Sequence, residues 1–256
     1  MDNRLTILKL SEKAEACIKE LEKEIGNYGV LIRDYQGDEG AKVTLDHEKK
    51  LVIVEINEKM LKNDSEEDIN STIAHETTHE ILSFKKGHYR LNISKFGLII
   101  GRIETMIEDI IVNKIIYEKN YRAYSPQYFD EVELEIKILH ESKDVYKMYN
   151  QDPIYKNVFM VSRYIQAWGY LEYSNLNEID KETLCKYLET FQKSYPEQHE
   201  KAKKIKEIIL KNNIFKAEGY NKTIWECLEI FDFINLVYIY CMFKNKDGHF
   251  ERRFIY

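Results

Sequence analysis

The stretch IAHETTHEIL, residues 73–82, carries two histidines four residues apart and a glutamate directly after the first of them. Four residues make slightly more than one helical turn, so His75 and His79 would project from one face within reach of one ion. Zinc accepts imidazole nitrogens and, in catalytic sites, keeps a position for water, beside which Glu76 could act as a general base. With 7 histidines in 256 residues, this pattern arises by chance roughly 0.02 times, so it points to a metal site.

The residues around this stretch predict a helix over 66–84. Ser65, followed three residues later by Asp68, is a capping signal, and the acidic residues between them suit a helix N-terminus. Two β-like segments precede this helix, AKVTL (41–45) and LVIVEI (51–56), and the polar turn between them predicts a hairpin.

The remaining elements predict a mainly helical α+β fold with a small antiparallel sheet and a C-terminal all-helical half. Ahead of the hairpin we expect a helix over 3–25 with Leu5 and Leu8 on its apolar face, ended by Gly26, and then a strand over 28–35. After the helix over 66–84, an apolar pattern predicts a second long helix over 93–120, and four or five further helices follow over 131–245. The expected domains are one over 1–125 that contains the two histidines and a helical domain over 126–256.

Composition excludes several classes of function. The net charge is −6 with both signs interleaved, so no basic surface for nucleic acid is expected. The longest apolar run, FDFINLVYIYCMF (231–243), is shorter than the about 20 residues of a membrane span, so we expect a core helix there. The N-terminus lacks the pattern of a signal peptide, and the four cysteines are widely spaced, which favours reduced thiols and a cytoplasmic protein.

Two histidines do not complete a catalytic zinc site, which needs a third protein ligand. The second long helix offers three acids within RIETMIEDIIVN (102–113), namely Glu104, Glu108 and Asp109. Each lies in an apolar run, where an unpaired carboxylate is costly to bury. Metal ligation would compensate that cost, and so would a salt bridge or an exposed position.

The hairpin, the HExxH motif and the acidic second helix resemble the zincin metallopeptidases, most closely their compact gluzincin-like members. The matching residues are LVIVEINEKMLKNDSEEDINSTIAHETTHEIL (51–82) and IEDIIVN (107–113). The resemblance implies a Zn2+ ion, a peptide or protein substrate, and an exposed edge strand that holds the peptide by β-addition. Whether 41–45 or 51–56 is that edge stays open.

The resemblance also bears on the third ligand. In that clan the acidic ligand is often followed four residues later by an Asp or Asn that orients a zinc-bound histidine. A small residue often stands just before that Asp or Asn. Asp109, with Val112 and Asn113, fits this spacing. The usual ligand is Glu, however, and the shorter Asp requires the helices to lie closer together.

Helix geometry leaves the third ligand open. If the second helix begins at Ile93 and runs to residue 120, Asp109 lies about 24 Å along it, which favours Glu104. A start near Gly97 would reduce this difficulty. We expect Asp109 to be the ligand, with Glu104 as the next candidate and Glu108 as the third.

The sequence thus predicts a zinc-dependent metallopeptidase, a hydrolase in which His75, His79 and Asp109 bind Zn2+. Glu76 would take a proton from water and pass it to the leaving amine. One alternative is a catalytically inactive, zincin-derived binding or regulatory protein that keeps the metal for its fold. Another is a plain helical protein with two surface histidines. Cleavage specificity and oligomeric state have no signature in the sequence.

Overall fold

A computed structural model of the chain contains nine α-helices, two short 3-10 helices and seven β-strands among the residues it describes. The mainly helical α+β class predicted from the sequence is therefore confirmed. The described residues are 4–6, 10–26, 28–36, 41–46, 48–85, 87–92, 97–122, 126–141, 143–246 and 250–255.

The chain forms two compact units, and neither is continuous in sequence. The first unit consists of Met1–Lys85, Ile115–Ser125 and Phe243–Glu251. The second unit consists of Lys86–Lys114, Pro126–Met242 and Arg252–Tyr256. One of these boundaries coincides with the predicted cut after residue 125, and the existence of two sequential domains stays a prediction.

The first unit contains a four-stranded sheet. Its strands are Arg4–Thr6 (β1), Gly29–Tyr35 (β2), Ala41–Asp46 (β3) and Leu51–Asn57 (β4), in the order β1-β2-β4-β3. The predicted hairpin is confirmed, because β3 and β4 pair antiparallel. The sheet as a whole is mixed rather than antiparallel, since β2 pairs parallel with both β1 and β4. Between β1 and β2 the helix Glu12–Ile25 (α1) forms a crossover that returns the chain in the same direction. β4 is parallel to β2 because β3 takes the outer edge and the hairpin then reverses the chain.

The segment 3–25, predicted as one helix, is therefore a strand followed by α1. The helix begins after Ser11, whose hydroxyl oxygen accepts a hydrogen bond from the amide of Ala14 at 3.2 Å. Gly26 ends it as predicted, at a φ of 73° that other residues rarely adopt. The side chains of Leu5 and Leu8 lie outside the described part of the chain.

The helix Glu66–Phe84 (α3) has the bounds predicted from the sequence. Ser65 caps it, since its hydroxyl oxygen accepts from the amide of Asp68 at 3.2 Å and its hydroxyl donates to the Asp68 carboxylate at 2.6 Å. Within the first unit α3 lies against both α1 and β3. Thr77 and Thr78 are buried, and each donates its hydroxyl to a backbone carbonyl in the preceding turn, so these polar residues fit a covered helix face.

The second long helix is Gly97–Glu118, and a short helix Glu58–Asn63 lies between β4 and α3; we number them α4 and α2. Residues 93–96, which the sequence assigns to the start of α4, lie outside the described residues. Arg122, which follows α4 in the chain, forms an ion pair with Asp68 at 2.8 Å and donates its amide to the hydroxyl of Ser71 at 3.1 Å. These bonds fix the segment after α4 to α3.

The described part of the second unit contains five further α-helices, as many as the upper number predicted. They are Pro126–His140 (α5), Pro153–Tyr173 (α6), Glu178–Ser194 (α7), Pro196–Lys211 (α8) and Ala217–Ile230 (α9). Helix α6 contacts both α7 and α8. Against α4, it packs closely at Gly169, where an added Cβ would lie 2.8 Å from Cγ1 of Ile110.

The C-terminal half is not all-helical, which corrects the sequence-based expectation. The strands Tyr89–Asn92 (β5), Tyr238–Lys244 (β6) and Phe250–Phe254 (β7) form a second sheet in that order, and β5 and β6 pair antiparallel. The predicted core helix over 231–243 is thus wrong. Asp232 adopts a φ of 59°, which breaks the helical path after α9, and the β-branched and aromatic residues that follow favour a strand.

Candidate metal centre

His75 and His79 project from the same face of α3, and their rings converge. Their Nε2 atoms lie 3.1 Å apart, and the ring centroids are separated by 4.7 Å. Two nitrogens bound to one tetrahedral zinc at about 2.0–2.1 Å would lie about 3.3 Å from each other. The two nitrogens thus have nearly the separation that chelation requires. Without an ion, the same distance allows one hydrogen bond between neutral rings, with the donor set by the tautomers.

Asp109, on α4, is the acid that joins the two histidines. One ligand atom from each of the three residues lies within 4.8 Å of the others, so the group could hold a metal ion. Asp109 is buried, and both histidines are half-buried. Two imidazoles and one carboxylate suit zinc, and they also suit other divalent ions of the first transition row.

The two competing acids of α4 are held by other groups. Arg90, on β5, contacts Glu104 with Nε at 3.0 Å from Oε1, and it also forms an ion pair with Glu108. Tyr220, on α9, donates its hydroxyl to Glu108 at 3.1 Å. Burial raises the pKa of Tyr220 well above its usual value, and the charges of both glutamates add to that rise. Glu108 therefore has both an ion pair and hydrogen bonds for its buried carboxylate, whereas Glu104 has the charge of Arg90 close by, although its Oε1 accepts no hydrogen bond from the described residues.

Asp109 also has a tyrosine neighbour that the sequence did not reveal. Burial raises the pKa of Tyr170, on α6, and the charge of Asp109 raises it further, while a hydrogen bond with Asn113 opposes the rise. Tyr170 therefore stays protonated beside Asp109. Asn113 lies one turn after Asp109, and its buried Oδ1 has no hydrogen-bond partner among the described residues. Tyr170 is distant from Asp109 along the chain, so no local pattern could have identified it.

Glu76 follows His75 on α3 and is half-buried. This position matches the HExxH spacing, in which the glutamate lies beside the ion rather than among its ligands. Its role as a general base stays a prediction.

The sheet order answers the question about the edge strand. β3 is at the edge of the first sheet, β4 is internal, and β3 lies against α3. On its outer side, β3 pairs with no strand of the described part of the chain. Its backbone groups there are placed to pair with an added strand.

A buried carboxylate crosslinks this sheet. Glu55, on β4, accepts a hydrogen bond from Nη2 of Arg33 at 2.6 Å and lies 3.3 Å from Nζ of Lys42. Burial acts to raise the pKa of Glu55, but the hydrogen bonds and charges of the two cations outweigh it and hold that pKa below its usual value. The ion pairs therefore stabilise the central strand next to the edge.

The cysteines and the long helices bear on two expectations drawn from the sequence. The four cysteines, Cys17, Cys185, Cys227 and Cys241, are free thiols, as predicted. Among the described helices, none has the length and apolar character needed to cross a membrane.

Comparison with known proteins adds no assignment. No family model matches the chain, and neither a curated protein nor a solved structure does. Any functional conclusion must therefore follow from the geometry and chemistry of the site.

Proposed function

We propose that this protein is a zinc-dependent metallopeptidase of the zincin type. The observation that carries the proposal is the convergence of His75, His79 and Asp109, whose ligand atoms lie within 4.8 Å of one another. The 3.1 Å separation of the two histidine Nε2 atoms fits a tetrahedral zinc ion. Three protein ligands leave one position for water, which is the arrangement of a catalytic rather than a structural zinc site.

The residues of the chain divide the work of hydrolysis. Zinc, when bound, supplies a Lewis acid that polarises a carbonyl group and makes water more acidic. Glu76, one residue after a ligand, takes the proton from the attacking water and later gives it to the leaving amine. Tyr170 keeps its proton and contributes to the polar surroundings of Asp109.

The substrate class follows from the edge strand. A peptide in extended conformation would add to the outer side of β3 by backbone hydrogen bonds, next to the helix that carries the histidines. This arrangement favours a peptide or protein substrate over a small ester or a nucleic acid. Free thiols agree with a location in the cytoplasm, which is part of the proposal.

The test compares the zinc-loaded parent with Glu76→Gln on a random-sequence peptide mixture, with cleavage read by mass spectrometry. We expect Glu76→Gln to keep its zinc and to lose at least about 100-fold in cleavage rate, the typical contribution of a general base. Glu80→Gln is the matched control, because Glu80 follows the second histidine and has no assigned role in hydrolysis.

Equal cleavage by the parent and Glu76→Gln would refute the proposed mechanism. If the parent binds zinc stoichiometrically, unfolds on chelation and cleaves nothing, the non-catalytic metal-stabilised alternative is the correct one. Absence of zinc from the dialysed parent would refute both.

A further inference from the structure

Helices α4 and α6 form a polar seam inside the second unit. They run parallel, since Arg102 on α4 contacts Phe159 on α6, and Ile110, two turns later on α4, contacts Gly169 on α6. Asp109 and its neighbour Tyr170 lie at the later end of this seam. The same two helices therefore connect Arg102 to the candidate metal ligand.

Arg102 is a cation for which the described residues offer no counter-charge. Its guanidinium carbon lies 4.9 Å from the centroid of the Phe159 ring. Its Nε is buried and has no hydrogen-bond acceptor, and no carboxylate of the described residues forms an ion pair with it. A guanidinium is always charged and presents five N–H donors in a planar fork that matches a carboxylate. Half-buried and stacked on a ring, this fork is held in place for an incoming anion.

Arg163, the other arginine at the contact of α4 and α6, differs from Arg102 because it has a carboxylate partner. Arg163, on α6, donates to Oε1 of Glu135 from Nε at 3.1 Å and from Nη2 at 2.7 Å, so its charge is compensated within the protein. Tyr128 lies under Arg163, and its buried hydroxyl has no hydrogen-bond partner among the described residues. Burial raises the pKa of Tyr128, while the charges of Arg163 and Arg102 lower it. Tyr128, on α5, thus has a hydroxyl donor that no described residue accepts, and Arg102 lies near enough for its charge to act on that hydroxyl.

Two further aromatic rings contact Phe159, the ring on which Arg102 lies. Tyr149 and Phe159 have ring centroids 4.9 Å apart, and Tyr155 stacks on Phe159 at 5.8 Å. All three rings are partly exposed. A cation beside accessible aromatic rings provides both charge and apolar surface, which are the two features needed to bind the acidic end or acidic side chain of a peptide.

The spacing on α4 gives the distance from the metal centre. Arg102 precedes Asp109 by seven residues, which is about 10.5 Å along the helix and nearly two full turns, so both side chains leave from the same face. An extended peptide advances about 3.3–3.6 Å per residue. Arg102 would therefore meet a group about three residues from the bond that Asp109 helps to cleave.

We propose that Arg102 binds a carboxylate of the peptide substrate about three residues from the cleaved bond. The carboxylate is either the free C-terminus or an Asp or Glu side chain. This inference rests on the proposed peptidase function, because Asp109 fixes the distance.

The experiment digests two random-sequence peptide mixtures, one with free C-terminal carboxylates and one with amidated ends, using zinc-loaded protein. We expect the parent to prefer cleavage about three residues from a carboxylate. Preference in the free-acid mixture alone identifies the C-terminus, and preference for internal Asp or Glu in both mixtures identifies the side chain. Arg102→Met should lose this preference by about 10- to 100-fold, the contribution of a charged hydrogen bond.

Controls separate binding from folding and from catalysis. Arg252→Met removes a similar arginine stacked on Tyr240 in the second sheet and should keep the preference. Arg102→Lys keeps the charge but lacks the planar fork of donors, so it should retain part of the preference. It replaces Arg102→Met in the comparison if that variant fails to fold. Binding is measured separately by fluorescence anisotropy, in protein that carries Glu76→Gln, with a dye-labelled peptide chosen from the parent's best products. Adding Arg102→Met should weaken binding of the peptide that has the carboxylate and should not change binding of the same peptide without it.

The outcomes are distinct. Cleavage by the parent without a carboxylate preference, or an unchanged preference in Arg102→Met, overturns the inference and leaves the peptidase function intact. No cleavage by the zinc-loaded parent overturns both.

Discussion

The identity of the third ligand gives the sharpest prediction, because the structure assigns different tasks to neighbouring acids of one helix. Asp109→Ala removes the carboxylate that lies with the two histidines. Loss of a residue that only supports a ligand typically costs 10–100-fold in metal affinity, so loss of a ligand itself should cost at least about 100-fold, or about 2.7 kcal/mol. Zinc affinity is measured by competition with a chelator of known affinity.

Glu108→Ala should have the opposite profile. It leaves the guanidinium of Arg90 and the hydroxyl of Tyr220 without their shared acceptor in a buried site. Breaking such a pair typically costs about 3–5 kcal/mol of stability. Zinc affinity should change by less than about 10-fold, since a residue outside the ligand set acts on the metal only indirectly. Glu104→Ala should behave in the same way, with a smaller loss of stability. Urea unfolding of the metal-free proteins measures this loss of stability.

The two measurements together can refute the assignment. If Asp109→Ala binds zinc as tightly as the parent while Glu104→Ala or Glu108→Ala loses the metal, a glutamate is the third ligand. The buried salt bridge with Arg90 would then have to open when metal binds. Asp109→Asn, which keeps size and removes charge, serves as a milder variant if the alanine substitution prevents folding.

Further predictions concern the fold that holds the site. Glu55→Gln should lower stability by about 1–2 kcal/mol at pH 7. Because the folded-state pKa of Glu55 lies below its unfolded value of about 4.3, this contribution is complete above about pH 5 and is lost as the pH falls through the folded-state pKa, so the stability difference between parent and variant in urea should shrink steadily as the pH is lowered from 5. Gly101→Ala should raise stability by up to about 1 kcal/mol, because no described atom lies within 4 Å of the added Cβ and alanine is the better helix former. Gly219→Ala should instead cost several kcal/mol, more than about 3, since its Cβ would lie 2.1 Å from the carbonyl oxygen of Asn213. Thermal unfolding of both glycine variants checks the opposite signs, and equal shifts would contradict the packing described here.

The bounds and the histidine-bearing face of α3 depend on interactions between residues close in sequence, which is why the sequence predicted them well. The bounds of α3 follow from the Ser65 cap and the apolar spacing, both of which act within one or two turns. The convergence of His75 and His79 follows from the i, i+4 geometry of any α-helix. The β3–β4 hairpin likewise depends on two adjacent strands and the turn between them.

Other features were decided by tertiary structure. The sequence could not show that β1 precedes α1 and pairs parallel with β2, because such pairing depends on a crossover rather than on a local repeat. The segment 231–243 is apolar enough for a helix, and its fate as a strand depends on the neighbouring β5. Short apolar runs carry no periodicity that separates these two outcomes.

Local helix geometry is enough to place two imidazoles at one point on α3 and to offer three acids of the next helix as the third ligand. Only the tertiary structure separated those acids, because it brings Arg90 to Glu104 and Glu108 and groups Asp109 with the histidines. The physical reason is that a buried carboxylate takes the partner that folding brings within about 3–4 Å, and the spacing of acids along one helix does not specify that partner.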